Sequence, residues 1–150
     1  MTAIYRLAIR CVAGLYLKEP FLRVVEVKTS TTLNDLHKLI RKLTDFDDDH
    51  LTTFYLANTL NGRKAWLVDP DAMDDAPDTW REGPLWKIRL SEIYPLPKHK
   101  KLYYGFDFGD CWIFEIRNQG KERLATPGVR YPRLLEQEGP KPDQYPQWNP

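Results

Sequence analysis

Asp107, Asp110 and Glu115 stand close together around Gly109, and His50 ends a run of three aspartates, Asp47-Asp48-Asp49. Carboxylates brought side by side raise one another's pKa. Such a set can act as an acid/base pair or chelate a divalent cation, with a histidine as proton carrier. The sharpest chemistry on offer is therefore a metal- or ligand-binding, hydrolase-like site at His50, Asp107, Asp110 and Glu115. A plainer account competes with it: aspartates in a turn accept hydrogen bonds from backbone N–H groups and fix the turn. We favour that account for Asp107 and Asp110. We also read the acidic run before His50 as a solvated turn, because a hard cation needs oxygen ligands from several directions. No metal, cofactor or catalytic residue is assigned.

The absences narrow the field further. The two serines, Ser30 and Ser91, sit in no Gly-x-Ser-x-Gly elbow, and there is no phosphate-cradling glycine loop or dinucleotide fingerprint. Asp69, Asp71, Asp74, Asp75 and Asp78 do not follow calcium-loop spacing. With Pro70, Pro77 and Pro84 they read as a mobile surface loop. Lys98-His99-Lys100-Lys101 is the one basic cluster. Lys98, Lys100 and Lys101, with Arg6, Arg10 and Arg23, are the nucleic-acid candidates, but a formal net charge of +1 and a pI near 7.7 argue against an electrostatic grip on a polyanion. Cys11 and Cys111 each fall in an apolar run and read as buried thiols; a disulfide needs their strands to be neighbours.

The elements that must position these residues follow from periodicity. Tyr5, Leu7, Ile9 and Cys11 alternate with Arg6, Ala8 and Arg10, the pattern of a half-buried strand. Residues 21–27 form a second strand. Thr32 caps a helix in which Leu33, Leu36, Leu39, Ile40 and Leu43 form one stripe, with Asp35 in the capping-box position. His37, beside the stripe, reads as a hydrogen-bonded, partly buried side chain. A strand at 52–57 turns at Asn61-Gly62 into a return strand over 63–68. Residues 85–93 are a strand or short helix. Residues 102–108 and 111–117 pair around Gly109-Asp110, with Asp107 facing away from Phe106 and Phe108. A last strand covers 123–126. From Pro127 onward, prolines at 127, 132, 140, 142, 146 and 150 exclude a regular ladder. The tail is expected to lie extended on the core, anchored by Tyr131, Leu134, Leu135, Tyr145 and Trp148.

The expected fold is α+β. A mixed β-sheet carries one main amphipathic helix in a β-grasp (ubiquitin-like) core, and an extended Pro-rich C-terminal tail completes it. All of residues 1–150 form one domain, with the core at 3–126 and the tail at 127–150. No leader and no apolar run of about 20 residues is present, so a cytoplasmic protein with no membrane partner is expected.

Tyr104-Gly105-Phe106-Asp107-Phe108-Gly109-Asp110-Cys111-Trp112 is the most specific motif. With Thr32-Leu33-Asn34-Asp35-Leu36-His37, Asp48-Asp49-His50-Leu51-Thr52-Thr53-Phe54 and Tyr131-Pro132-Arg133, it resembles the plasmid pRiA4b ORF-3-like family nearly end to end. Some members of that family are named as passenger proteins of an insertion element. The resemblance implies a small α+β domain with a ubiquitin-like core, associated with mobile elements, and no established activity. Relatives often carry a second histidine where this chain has Thr52, and a Cys-Pro-Pro-Glu-Asp-like segment where it has Gly139-Pro140-Lys141-Pro142-Asp143. A metal held through those ligands would be lost here. The expected function is a protein-interaction module with an unknown protein partner, rather than an enzyme. Nucleic-acid binding ranks last.

Overall fold

The computed structural model describes residues 2–47, 51–68, 84–107 and 109–145. The acidic turn at His50 and the aspartate-rich loop at 69–83 lie outside them, as do Phe108 and Trp148. The strands are β1 (Ala3–Ala13), β2 (Leu22–Lys28), β3 (Thr52–Ala57), β4 (Ala65–Trp66), β5 (Lys101–Phe106), β6 (Trp112–Asn118), β7 (Arg123–Leu124) and β8 (Arg133–Glu138). The helices are α1 (Leu33–Thr44) and a single turn, α2 (Leu90–Ile93), which follows a 3-10 turn at Pro84–Lys87. One sheet runs β4-β3-β5-β6-β1-β2-β8, with β7 continuing beside β1. Every described ladder is antiparallel, so the sheet is antiparallel rather than mixed. The hairpin-then-helix opening of a β-grasp is present. The parallel pair that completes one is not among the described ladders.

α1 forms where the sequence places it. Thr32 Oγ1 accepts from the Asp35 N–H at 3.1 Å, and Asp35 Oδ2 accepts from the Thr32 N–H at 3.2 Å, closing a capping box. The helix ends at Asp45 in the left-handed region, with Arg41 and Lys42 in its last turn. Its stripe packs on the sheet face that carries Leu7, Ile9, Phe54, Tyr104, Phe106, Trp112 and Phe114, all buried. A Cβ on Gly14 would meet the Trp112 indole at 2.3 Å, so the chain leaving β1 must be glycine there to lie against the ring.

Three expectations change. The β5–β6 ladder ends at Phe106↔Trp112, which leaves Cys111 in the turn at φ 58, exposed rather than buried. In the sequence it stands directly before the apolar run Trp112-Ile113-Phe114 and so reads as a strand residue. Cys11 is buried, and burial pushes its thiol pKa up to about 12. Both thiols are free, although β1 and β6 are neighbours. The return strand at 63–68 is only Ala65–Trp66. Finally, the Pro-rich tail does form a ladder: β8 pairs with β2 from Glu26↔Arg133 to Leu22↔Glu138, with a bulge between Val24 and Val25. Pro132 and Pro140 bracket this strand without interrupting it, so no ladder N–H is lost.

Candidate functional site

The signature hairpin is built to hold a turn. Asp107 is buried at φ 55, a left-handed conformation that aspartate tolerates better than most residues. Its Oδ1 accepts from the N–H of Gly109 (3.2 Å) and of Asp110 (3.3 Å), and its carbonyl accepts from the Cys111 N–H at 2.7 Å. The Asp107 N–H donates to the Leu51 carbonyl at 3.1 Å, and the Asp110 carbonyl accepts from the Leu15 N–H at 2.8 Å. The turn thus ties the start of β3 and the β1–β2 connection to the end of the β5–β6 hairpin. We expect Asp107→Ala to cost about 2 kcal/mol, because two turn N–H groups lose their acceptor and alanine disfavours the left-handed region. Asp107→Asn should recover more than half of that. Urea unfolding checks both, and an alanine variant as stable as the parent would contradict the assignment.

Glu115 is not part of this turn. It lies in β6 opposite Tyr103 and Arg10, three residues beyond Trp112 and so roughly 10 Å along the strand. Arg117 Nη2 pairs with its Oε1 at 3.1 Å. Glu115 borders a groove of about 320 Å³ with Lys100, Lys101 and Tyr94. Lys98 sits exposed in the turn before it. Among the described residues, no three His, Cys, Asp or Glu side chains gather as a metal-ligand set. His50 lies outside the described residues.

Two of the arginines grouped with the lysines are already engaged. Arg23 is buried; its Nη1 donates to the carbonyls of Leu22 (2.8 Å) and Glu138 (3.0 Å), and its guanidinium lies 4.2 Å from the Phe21 ring centroid. Arg6 Nη2 donates to Glu26 Oε2 at 3.2 Å, and Arg133 closes on Glu26 Oε1 through Nε (3.1 Å) and Nη2 (2.5 Å). Burial alone would push the Glu26 carboxyl pKa up. The hydrogen bonds from Arg133 and Arg6 outweigh burial and hold it below the ordinary carboxylate value. This triad spans β1, β2 and β8. β2 is buried on both faces, and the charged residue among its valines is the sequence signal for a buried pair.

His37 is fully buried, and its Nδ1 lies 2.7 Å from Tyr104 Oη, with Trp86 edge-on at 6.0 Å. It is a core polar pair between helix and sheet. On the opposite sheet face, Tyr55 and Tyr103 stack at 5.3 Å and Trp66 meets Tyr55 edge-on at 5.4 Å. The Tyr55 hydroxyl is buried, which raises its pKa to about 12.

Two surface features were not singled out in the sequence. One is the outer edge of β8, where Leu134 is 45% exposed. The other is a groove of about 410 Å³ between α1 and Tyr131-Pro132.

These features define a small α+β protein: one antiparallel sheet, one capped helix across it, and an aromatic hairpin closed by an aspartate. Residues 5–144 match the model of the plasmid pRiA4b ORF-3-like proteins, and the chain belongs to that family. Among solved structures it is similar to MM3350 from Methanosarcina mazei Go1, a protein of unknown function. Identity is 26% and the TM-score 0.67, over 91% of this chain and 70% of that one. Comparison with curated proteins finds no match. Among the described residues, no helix is long and apolar enough to cross a membrane.

Proposed function

We propose that this domain is a protein-binding module that takes an extended partner segment as an added strand along β8. One observation carries the reading: β8 ends the sheet and pairs with β2 alone among the described strands, so its outer backbone edge faces away from the ladder. An open edge offers main-chain hydrogen bonds to an incoming strand, and alternate side chains supply selectivity. The edge is held rigidly, by Arg133 on Glu26 and by Arg23 on the Glu138 carbonyl. A rigid edge lowers the ordering cost of binding.

The chemistry of β8 narrows the partner. Pro132 and Gly139-Pro140 limit the edge to about six residues, the length of an ordinary strand. Leu134 offers an apolar contact, and Glu136 and Glu138 favour Lys or Arg opposite them. The segment that fits is short, extended and basic, with one apolar anchor. The plasmid in the family's description supports a setting beside mobile elements.

The test is a random-peptide display selection against the domain, followed by backbone N-methylation of the best binder at alternate residues. Each N-methyl that removes an edge hydrogen bond should weaken binding about tenfold, and its neighbours should not. Indifference to N-methylation would overturn the reading. So would a domain that is already dimeric in light scattering through β8 pairing with a second copy.

A further inference from the structure

We infer that the groove between α1 and the Tyr131-Pro132 segment binds a small organic anion: a phosphate or carboxylate carried on a short apolar or aromatic body. The groove encloses about 410 Å³, within the range of small-molecule sites. Its apolar side is Val27, Leu39, Tyr131 and Pro132, and its charged rim is Lys28, Lys38 and Lys42.

The helix geometry explains how these come together. α1 turns Leu33, Leu36, His37 and Ile40 into the core. That leaves Leu39 half-buried on the flank facing the tail, with Lys38 and Lys42 one turn apart above it. Four residues of helix rise about 6 Å, so both flexible ammonium groups can reach one anionic group. Lys28, at the end of β2, approaches from the other wall.

Charge decides the ligand class. Like charges spaced i,i+4 work against the helix unless a counter-charge lies between them. Among the described residues, none of the three lysines has a carboxylate partner. Asp35, the one acid on the groove, has its Oδ2 on the Thr32 N–H in the capping box. The rim is therefore net positive in a protein whose formal net charge is only +1. An anion answers the rim, and an apolar body answers Leu39 and Tyr131. Lysines suit such a site because they meet phosphate as mobile point charges. This inference is independent of strand addition at β8.

The experiment is a titration of the 15N-labelled protein with hexyl phosphate, set against inorganic phosphate and hexanol. Saturable shifts are expected at Lys28, Thr31, Leu39 and the Tyr131 amide, with inorganic phosphate and hexanol each at least tenfold weaker. The Lys38→Gln/Lys42→Gln double variant lies on the exposed helix face, and an unchanged remainder of its spectrum shows that it folds. Its affinity for hexyl phosphate should fall at least tenfold. Equal affinity in that variant would overturn the proposal, as would non-saturating shifts or shifts centred elsewhere. A lipid headgroup is the other source of the same chemistry. Sedimentation with phosphatidylserine vesicles that hexyl phosphate does not compete away would assign the rim to a membrane surface and refute the small-molecule site.

Discussion

Gly139→Ala should release β8 from the sheet and lower stability by about 3 kcal/mol. Gly139 sits at φ 79, and a Cβ there would fall 1.6 Å from the Pro20 carbonyl oxygen. The close atom is backbone, so no rotamer change relieves the clash. Either the chain leaving β8 moves or Pro20 does, and Pro20 immediately precedes Phe21 and β2. The less costly escape is for β8 to undock, which sacrifices its ladder to β2 and the hydrogen bond from Arg23 to the Glu138 carbonyl. Native-state hydrogen exchange should show residues 133–138 losing protection while β1, β5 and β6 keep theirs. A uniform loss across the sheet would mean that β8 is integral to global folding rather than a docked edge.

Glu26→Ala is expected to cost about 2–3 kcal/mol. Removing one partner of a fully buried ion pair costs about 3–5 kcal/mol, because a buried charge is left uncompensated. Here the two arginines can still reach water: Arg6 is 35% exposed and Arg133 41% exposed, against 3% for Glu26. Solvent screening therefore reduces the loss. The pH dependence has a definite sign. The folded-state pKa of Glu26 is depressed, so its contribution is present above the unfolded value of about 4.5 and is lost as pH falls through the folded pKa. Parent and Glu26→Gln stabilities should differ most above about pH 4.5 and converge progressively as pH falls below it. Chemical denaturation at pH 3 and pH 7 checks this, and a difference that does not change with pH would contradict it.

Much of this architecture is legible in the sequence. The Thr32/Asp35 box and the leucine stripe marked α1 because capping and helical period are local signals. The alternation in β1 and the aromatics of β5 and β6 were equally local. The register was not. Cys111 looks apolar and strand-like in the chain, yet the ladder closes one residue later at Trp112, and only the pairing partner decides that. β8 was hidden by composition: proline density argued against a ladder, while the strand lies between prolines. The sheet's antiparallel order joins segments far apart in sequence, which no periodicity reports.

The candidate site divides in the same way. That Asp107 would fix a turn was readable from the aspartates on either side of Gly109. That Glu115 belongs to a separate groove followed only from the β6 register. Lys38 and Lys42, exposed on α1, are readable in the sequence as charges set between the leucines of the stripe. What makes them a rim is Tyr131, brought opposite them by a tail that passes around the end of β1 and β2 through β7 and β8.

The most direct test of strand addition is hydrogen exchange of the β8 amides with and without a selected basic peptide. Outward-facing amides within residues 133–138 should become at least tenfold more protected in the complex, alternating with inward-facing amides that change little. Protection appearing at the hairpin of residues 107–111, with β8 unaffected, would contradict it.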